Sequence, residues 1–196
     1  MLRSRSTWLL SILFILSAAA GITACSMNSE DVTQAAKAAS GMTLVQRGEY
    51  IVATTGCNDC HTPGALYGAP DFKRTLSGSE LGWEGPYGVS YASNLTPDPE
   101  TGLGSWTDAE IERALRSGIK KDGNPVNPPM PWPSTARFTA EDMSAVIAYL
   151  RSIPPVSHKN LGPIPPGKAV AGSVIRMPPP SAWDVPGQAT ASAAKP

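Results

Sequence analysis

Cys57-Asn58-Asp59-Cys60-His61 constrains this 196-residue chain more than any other stretch of it. Two cysteines separated by two residues, with a histidine directly after the second, are the pattern of covalent haem attachment. Each sulfur forms a thioether at one of two vinyl groups on the same porphyrin edge, and the adjacent imidazole reaches the iron from the same side. Three other chemistries compete for such a pair. A thioredoxin-type dithiol wants a helix after it, and Pro63-Gly64 follow instead. A zinc site needs a second ligand cluster, for which only His158 is at hand. A disulfide between Cys57 and Cys60 would be strained. One covalently bound haem c, held by Cys57, Cys60 and His61, is the expected cofactor.

A bound haem also accounts for the rest of the text. Twenty prolines and eighteen glycines are too many for a chain of mostly regular structure. From Thr62 to Gly104 there are eight glycines and five prolines, with Tyr67, Phe72, Trp83, Tyr87 and Tyr91 scattered among them. A stretch that long is expected to be ordered by packing on something other than a sheet, and a porphyrin supplies it. Helices are signalled only outside this stretch. The first is expected from about Thr43 to Thr55, with Leu44, Val45, Tyr50, Ile51 and Val52 on one stripe and Gly56 as its stop. The second begins at the capping box Thr107-Asp108-Ala109-Glu110 and ends at Gly118. The third starts on Thr139, carries Met143, Val146, Ile147 and Leu150 at i, i+3, i+4 and i+7, and stops before Pro154-Pro155. The expected fold class is all-α: three main helices around one covalently bound haem, with long Gly/Pro-rich loops.

Both ends read as something other than this domain. Arg3 and Arg5 precede an apolar run from Trp8 to Leu16 and then small residues, the order of an export signal. Ile22-Thr23-Ala24-Cys25 resembles the lipobox of bacterial lipoproteins, in which the cysteine is acylated. Residues 1–24 are thus expected to be a lipoprotein-type signal peptide and Cys25 the lipid attachment site. A plain signal peptide or an uncleaved anchor is the alternative. Cleavage there removes two bases and no acid, leaving 14 bases against 16 acids. With no basic excess, nucleic acid is not an expected partner. Residues 25–41 are small and polar and read as a tether reaching roughly 22 Å as a flexible coil. Residues 42–156 form the haem domain. Residues 157–196 are a proline-rich C-terminal tail that cannot make a core by itself.

Iron takes a sixth ligand, and Met130, Met143, Met177 and His158 are the candidates. Met130 lies in Asn127-Pro128-Pro129-Met130-Pro131-Trp132, where prolines stiffen the backbone around a flexible thioether. A loop methionine that merely covers the core is the plainer alternative. Met143 falls on the buried stripe of the third helix, while Met177 and His158 sit in the tail. A thioether opposite an imidazole raises the reduction potential and leaves no open position for substrate.

Residues 42–156 resemble a class I cytochrome c domain, similar to one module of the cytochrome c subunits of membrane-bound alcohol, aldehyde and gluconate dehydrogenases. The matching text is Arg47-Gly48-Glu49-Tyr50, Asn94-Leu95-Thr96-Pro97-Asp98 to Gly102, Ala114-Leu115-Arg116 with Gly118, Met130-Pro131-Trp132, and Ala148-Tyr149-Leu150-Arg151-Ser152. The resemblance implies that Met130 is the distal ligand. Those subunits usually carry three haem motifs and this chain has one, and its tail has no counterpart in them.

The expected function is single-electron transfer in a periplasmic respiratory chain, by a carrier rather than an enzyme. The expected partners are a dehydrogenase donor, an oxidase or cytochrome acceptor, and the membrane through the lipid on Cys25. A haem enzyme, or a haem-based sensor subunit with a displaceable sixth ligand, is the alternative. Asn94, Trp106, Trp83 and Tyr91 are further candidates for the haem surroundings. An Asx turn, a helix staple and ordinary packing are their respective alternatives.

Overall fold

The computed structural model describes residues 41–179. The signal segment, Cys25, nearly all of the tether and the tail from residue 180 onward lie outside the described residues. Five helices and three short strands follow from Thr43 on: α1 (Leu44–Thr54), α2 (Cys57–His61), β1 (Gly82–Gly85), β2 (Gly88–Tyr91), α3 (Asp108–Ser117), α4 (Trp132–Thr135), α5 (Ala140–Ser152) and β3 (Val174–Arg176). None of these helices is long and apolar enough to cross a membrane.

The three expected helices form where their end signals stand. Thr43 opens α1 with a capping box: its hydroxyl accepts from Gln46 N at 3.2 Å, and Gln46 Oε1 accepts from Thr43 N at 2.9 Å. Thr107 and Glu110 do the same for α3, which closes on Gly118 in the left-handed conformation. Thr139 caps α5 by accepting from Asp142 N at 3.0 Å, and Ile153 turns extended ahead of the two prolines.

The core lies where α1 crosses α5. Ile51 and Val52 pack with Ala145, Val146, Leu150 and Leu76. Gly48 sits at the crossing, and a methyl group there would overlap the Ala145 carbonyl and lie 2.7 Å from Tyr149 Cβ. The two backbones therefore touch, which only a residue without Cβ permits. A second cluster, Ile111, Met143 and Ile147, joins α3 to the other side of α5. Met143 is fully buried in it and acts as core. Arg151 completes the frame, donating to the carbonyls of Leu103 and Trp106 and to Asp108 Oδ1.

The all-α expectation is overturned by a three-stranded mixed sheet, in the order β2-β1-β3. β1 and β2 form an antiparallel hairpin across Pro86-Tyr87, and β3 pairs parallel to β1. Part of the 62–104 stretch is thus ordered by a sheet after all. The strands escape sequence reading for a physical reason. They are three or four residues long, Gly82-Trp83-Glu84-Gly85 has no apolar alternation, and the paired residues of β1 and β3 are 92 positions apart. Contacts also run across residue 156. Val89 and Ile164 exchange two backbone hydrogen bonds at 2.8 and 2.9 Å, and Arg176 Nε donates to Glu84 Oε2 at 2.7 Å.

Two outcomes follow from the crossing. Gly48→Leu forces α1 off α5 and is expected to cost about 3 kcal/mol, read as a lower guanidinium midpoint; an unchanged midpoint would separate the two helices. Arg47 Nε donates to Asp142 Oδ1 at 2.7 Å. Burial pushes the Asp142 carboxyl up, but the bonds from Arg47 and Thr139 outweigh it and hold the carboxyl below its ordinary value. A depressed carboxyl stabilises the fold above its unfolded pKa, about 3.9. The penalty of Arg47→Ala should therefore be full near neutrality and vanish as pH falls below about 4. A penalty that persists in acid would make Arg47 a packing residue only.

Candidate haem-binding site

Gly56 turns the chain out of α1, and the motif that follows is itself one turn of helix, α2. Sequence reading assigned no helix there, because five residues are too few to show a period. A helical turn puts residues three apart on one face, so Cys57 and Cys60 present their sulfurs to the same side. Neither is in a disulfide. Burial pushes the Cys57 thiol up, against a hydrogen bond with Thr55 that pulls it down. Burial, then the Asp59 charge, push Cys60 up as well. Both sulfurs are neutral thiols at neutral pH, whereas redox-active dithiols need a stabilised thiolate.

His61 is buried, with Nδ1 2.7 Å from the Ser93 carbonyl. A carbonyl only accepts, so Nδ1 carries the proton and Nε2 keeps its lone pair. Burial lowers the His61 pKa and the Ser93 bond raises it; burial dominates, so the ring is neutral. Nε2 has no hydrogen-bond partner among the described residues. This is a ring oriented to ligate a metal. Its backbone is held too: Gly78 N donates to His61 O at 2.7 Å, and Leu76 N donates to Thr62 Oγ1 at 3.0 Å. Leu76 is fully buried with φ 60°, a costly conformation for a branched side chain, and Leu95 N locks its carbonyl at 2.8 Å.

Met130 is half-buried in the loop before α4. The far end of that loop is firmly seated. Thr135 Oγ1 donates to Leu115 O at 2.6 Å, and Arg116 donates to Phe138 O at 2.9 Å. The Trp132 indole lies over Gly118, where a Cβ would come within 2.7 Å of the ring. The other sixth-ligand candidates are engaged elsewhere. Met143 is core, Met177 Sδ accepts from Tyr87 Oη at 3.2 Å, and His158 bonds Ser77 O at 2.9 Å while its Nε2 lies 3.2 Å from Glu80. The Met130 thioether makes no hydrogen bond among the described residues.

Asn94 belongs to the frame. Its Oδ1 accepts from Thr96 N and Thr96 Oγ1 at 2.9 and 2.8 Å, and its amide donates to Val156 O at 2.8 Å and Thr101 Oγ1 at 3.0 Å. Trp106 packs on the Ile111–Met143 cluster. Tyr91 differs: its hydroxyl is buried and has no partner among the described residues. Among those residues no three His, Cys, Asp or Glu side chains converge as a metal-ion cage. Ser93 was missed by sequence reading, since a backbone carbonyl leaves no mark in the side-chain text.

A family model described as cytochrome c matches residues 45–154. The chain belongs to the cytochrome c family. Its relatives include the cytochrome c subunit of a quinone alcohol dehydrogenase from Gluconobacter oxydans, 38% identical over 149 residues, 76% of this chain and 28% of that subunit. The cytochrome c subunit of gluconate 2-dehydrogenase from Pantoea cypripedii is 36% identical over 118 residues, 60% of this chain and 25% of the subunit. A diheme cytochrome c-type protein of Cereibacter sphaeroides is 33% identical over 109 residues, 56% of this chain and 36% of that protein. This cytochrome thus spans about a quarter to a third of the length of these relatives. Membership implies covalently bound haem c, and the residues present fit one. Two thiols outside any disulfide share a helical face, a neutral imidazole offers a free Nε2, and the orphaned Tyr91 hydroxyl offers a buried donor.

Asn94→Ala should cost about 3 kcal/mol, because it leaves the buried Thr96 N–H without its acceptor and leaves the Val156 carbonyl only the longer bond from Thr96 Oγ1, at 3.3 Å. Denaturant unfolding followed by haem absorbance checks this, and a loss under 1 kcal/mol would mean that water replaces the amide.

Proposed function

We infer that this cytochrome is a monohaem electron carrier on the periplasmic side of a bacterial membrane, accepting single electrons from a dehydrogenase and passing them to an oxidase or another cytochrome. The observation that carries the reading is α2. It is one helical turn presenting Cys57 and Cys60 on one face, followed by a buried His61 whose Nδ1 proton is held by Ser93.

Bound haem c supplies an iron that gains and loses one electron. The protein's residues decide what that iron meets. Cys57 and Cys60 anchor the porphyrin edge, and His61 gives Nε2 as the proximal ligand, its basicity raised by the Ser93 carbonyl. Met130 gives its thioether as the distal ligand; a neutral, weakly donating sulfur favours the reduced state and raises the potential. Two protein ligands leave no position for substrate, which supports a carrier. The Tyr91 hydroxyl suits a propionate oxygen.

The donor reading rests on relatives named as subunits of alcohol, gluconate and fructose dehydrogenases. One motif in the chain supports a single haem. The sequence Ile22-Thr23-Ala24-Cys25 supports a lipid on Cys25, which would keep the domain beside such a complex.

The intact mass of the membrane-extracted protein should equal the chain from residue 25 plus one haem and the acyl groups. Met130→Ala should keep that mass, lose the sulfur-to-iron charge-transfer band, and lower the midpoint potential. A protein without Soret absorption would end the haem reading, and a variant that keeps the band would move the distal ligand elsewhere.

A further inference from the structure

The segment from β2 to Asn94 is bonded both to His61 and to the loop that carries Met130. Ser93 O holds the ring of His61. Three residues earlier the buried Ser90 hydroxyl donates to the carbonyl of Pro128, two residues before Met130. Extended chain rises about 3.3 Å per residue, so these two attachment points, one in β2 and one just past its end, lie at most about 10 Å apart.

The loop needs such a contact because of its own composition. Pro125, Pro128, Pro129 and Pro131 carry no N–H, so the chain around Met130 has few donors with which to hold itself. Its backbone is pinned at one end by Val126 N to Gly118 O at 2.7 Å and at the other by Trp132. Between these, Met130 N reaches only Asn127 O, at 3.3 Å within the loop. At its end Trp132 N, the first residue of α4, donates to Met130 O at 2.9 Å, and from elsewhere in the described chain Ser90 donates to Pro128 O. Ser90 is itself fixed. Its strand is bonded along one edge to β1, where Trp83 faces Ser90, and on the other to Ile164 through Val89.

We propose that Ser90 is a positioning residue for the distal ligand: its hydroxyl ties the Met130 loop to the segment that runs from β2 to Ser93, so that one stretch of chain holds both the His61 ring and the loop of Met130. The inference rests on Met130 being the distal ligand. Prolines stiffen the loop but do not place it, and a thioether bonds iron weakly enough that placement decides how often the sulfur leaves. Ser90 lowers the population with the sulfur displaced; it touches neither ligand.

The test uses the holoprotein as Ser90→Ala, Ser90→Thr and Met130→Ala, with three readouts: the charge-transfer band, the midpoint potential, and carbon monoxide uptake by the reduced protein. Ser90→Ala should weaken the band, lower the potential and speed carbon monoxide uptake by about tenfold, the scale of one lost hydrogen bond. Ser90→Thr, which keeps the hydroxyl, should stay within about twofold of wild type. Ser90→Ala with the band and carbon monoxide resistance of wild type would overturn the proposal, even if its unfolding midpoint falls. Equal loss in the alanine and threonine variants would also overturn it, since shape rather than the hydroxyl would then be responsible. Failure of the underlying reading is separate: it appears as Met130→Ala retaining the band.

Discussion

The 2.7 Å bond between His61 Nδ1 and the Ser93 carbonyl joins the two halves of the domain at the point where the chemistry sits. On one side is α2, which continues from α1 and so inherits the stiffness of the α1–α5 crossing. On the other is the strand that runs into Asn94. Without that bond the imidazole could rotate or exchange its proton between nitrogens, and Nε2 would lose its assigned role as a ligand. The surrounding polar contacts make sense as support for it. Gly78 N on His61 O, Leu76 N on Thr62 Oγ1 and the four bonds of Asn94 all fix backbone within a few residues of either partner.

The same arrangement governs the electrostatics. Burial holds the His61 pKa below its ordinary value and pushes both cysteine thiols above theirs. Charged groups sit further out, in pairs such as Arg47–Asp142 and Arg74–Glu80 that tie loops and helices together at half-exposed positions.

The sequence was legible wherever the physics is local. Thr107 and Thr139 announced two helix starts, since a cap is written within four residues, and Gly56 announced the end of the first helix. Met143 was legible as core from its place on a 3.6-residue stripe. The sheet was not legible, because Gly82–Gly85 has no apolar alternation and its partner Val174–Arg176 lies in a segment that reads as polar, proline-rich text. Nor was Ser93, since it acts through a carbonyl that every residue possesses. Asn94 was legible as a turn residue, but its reach to Val156, 62 positions away, was not.

By itself, then, the order of residues carried the haem-attachment motif, in the two-residue spacing between Cys57 and Cys60 and the adjoining His61, and it marked the three longer helices, through caps, stops and periodicity. Only the tertiary structure decided which nitrogen of His61 is free, which candidate sulfur lacks a partner, and that residues 164 to 176 close against the hairpin. The division has one physical cause. Covalent spacing and helical hydrogen bonds act over a few residues, whereas a tautomer, a desolvated thiol or a short strand is fixed by groups brought from far along the chain.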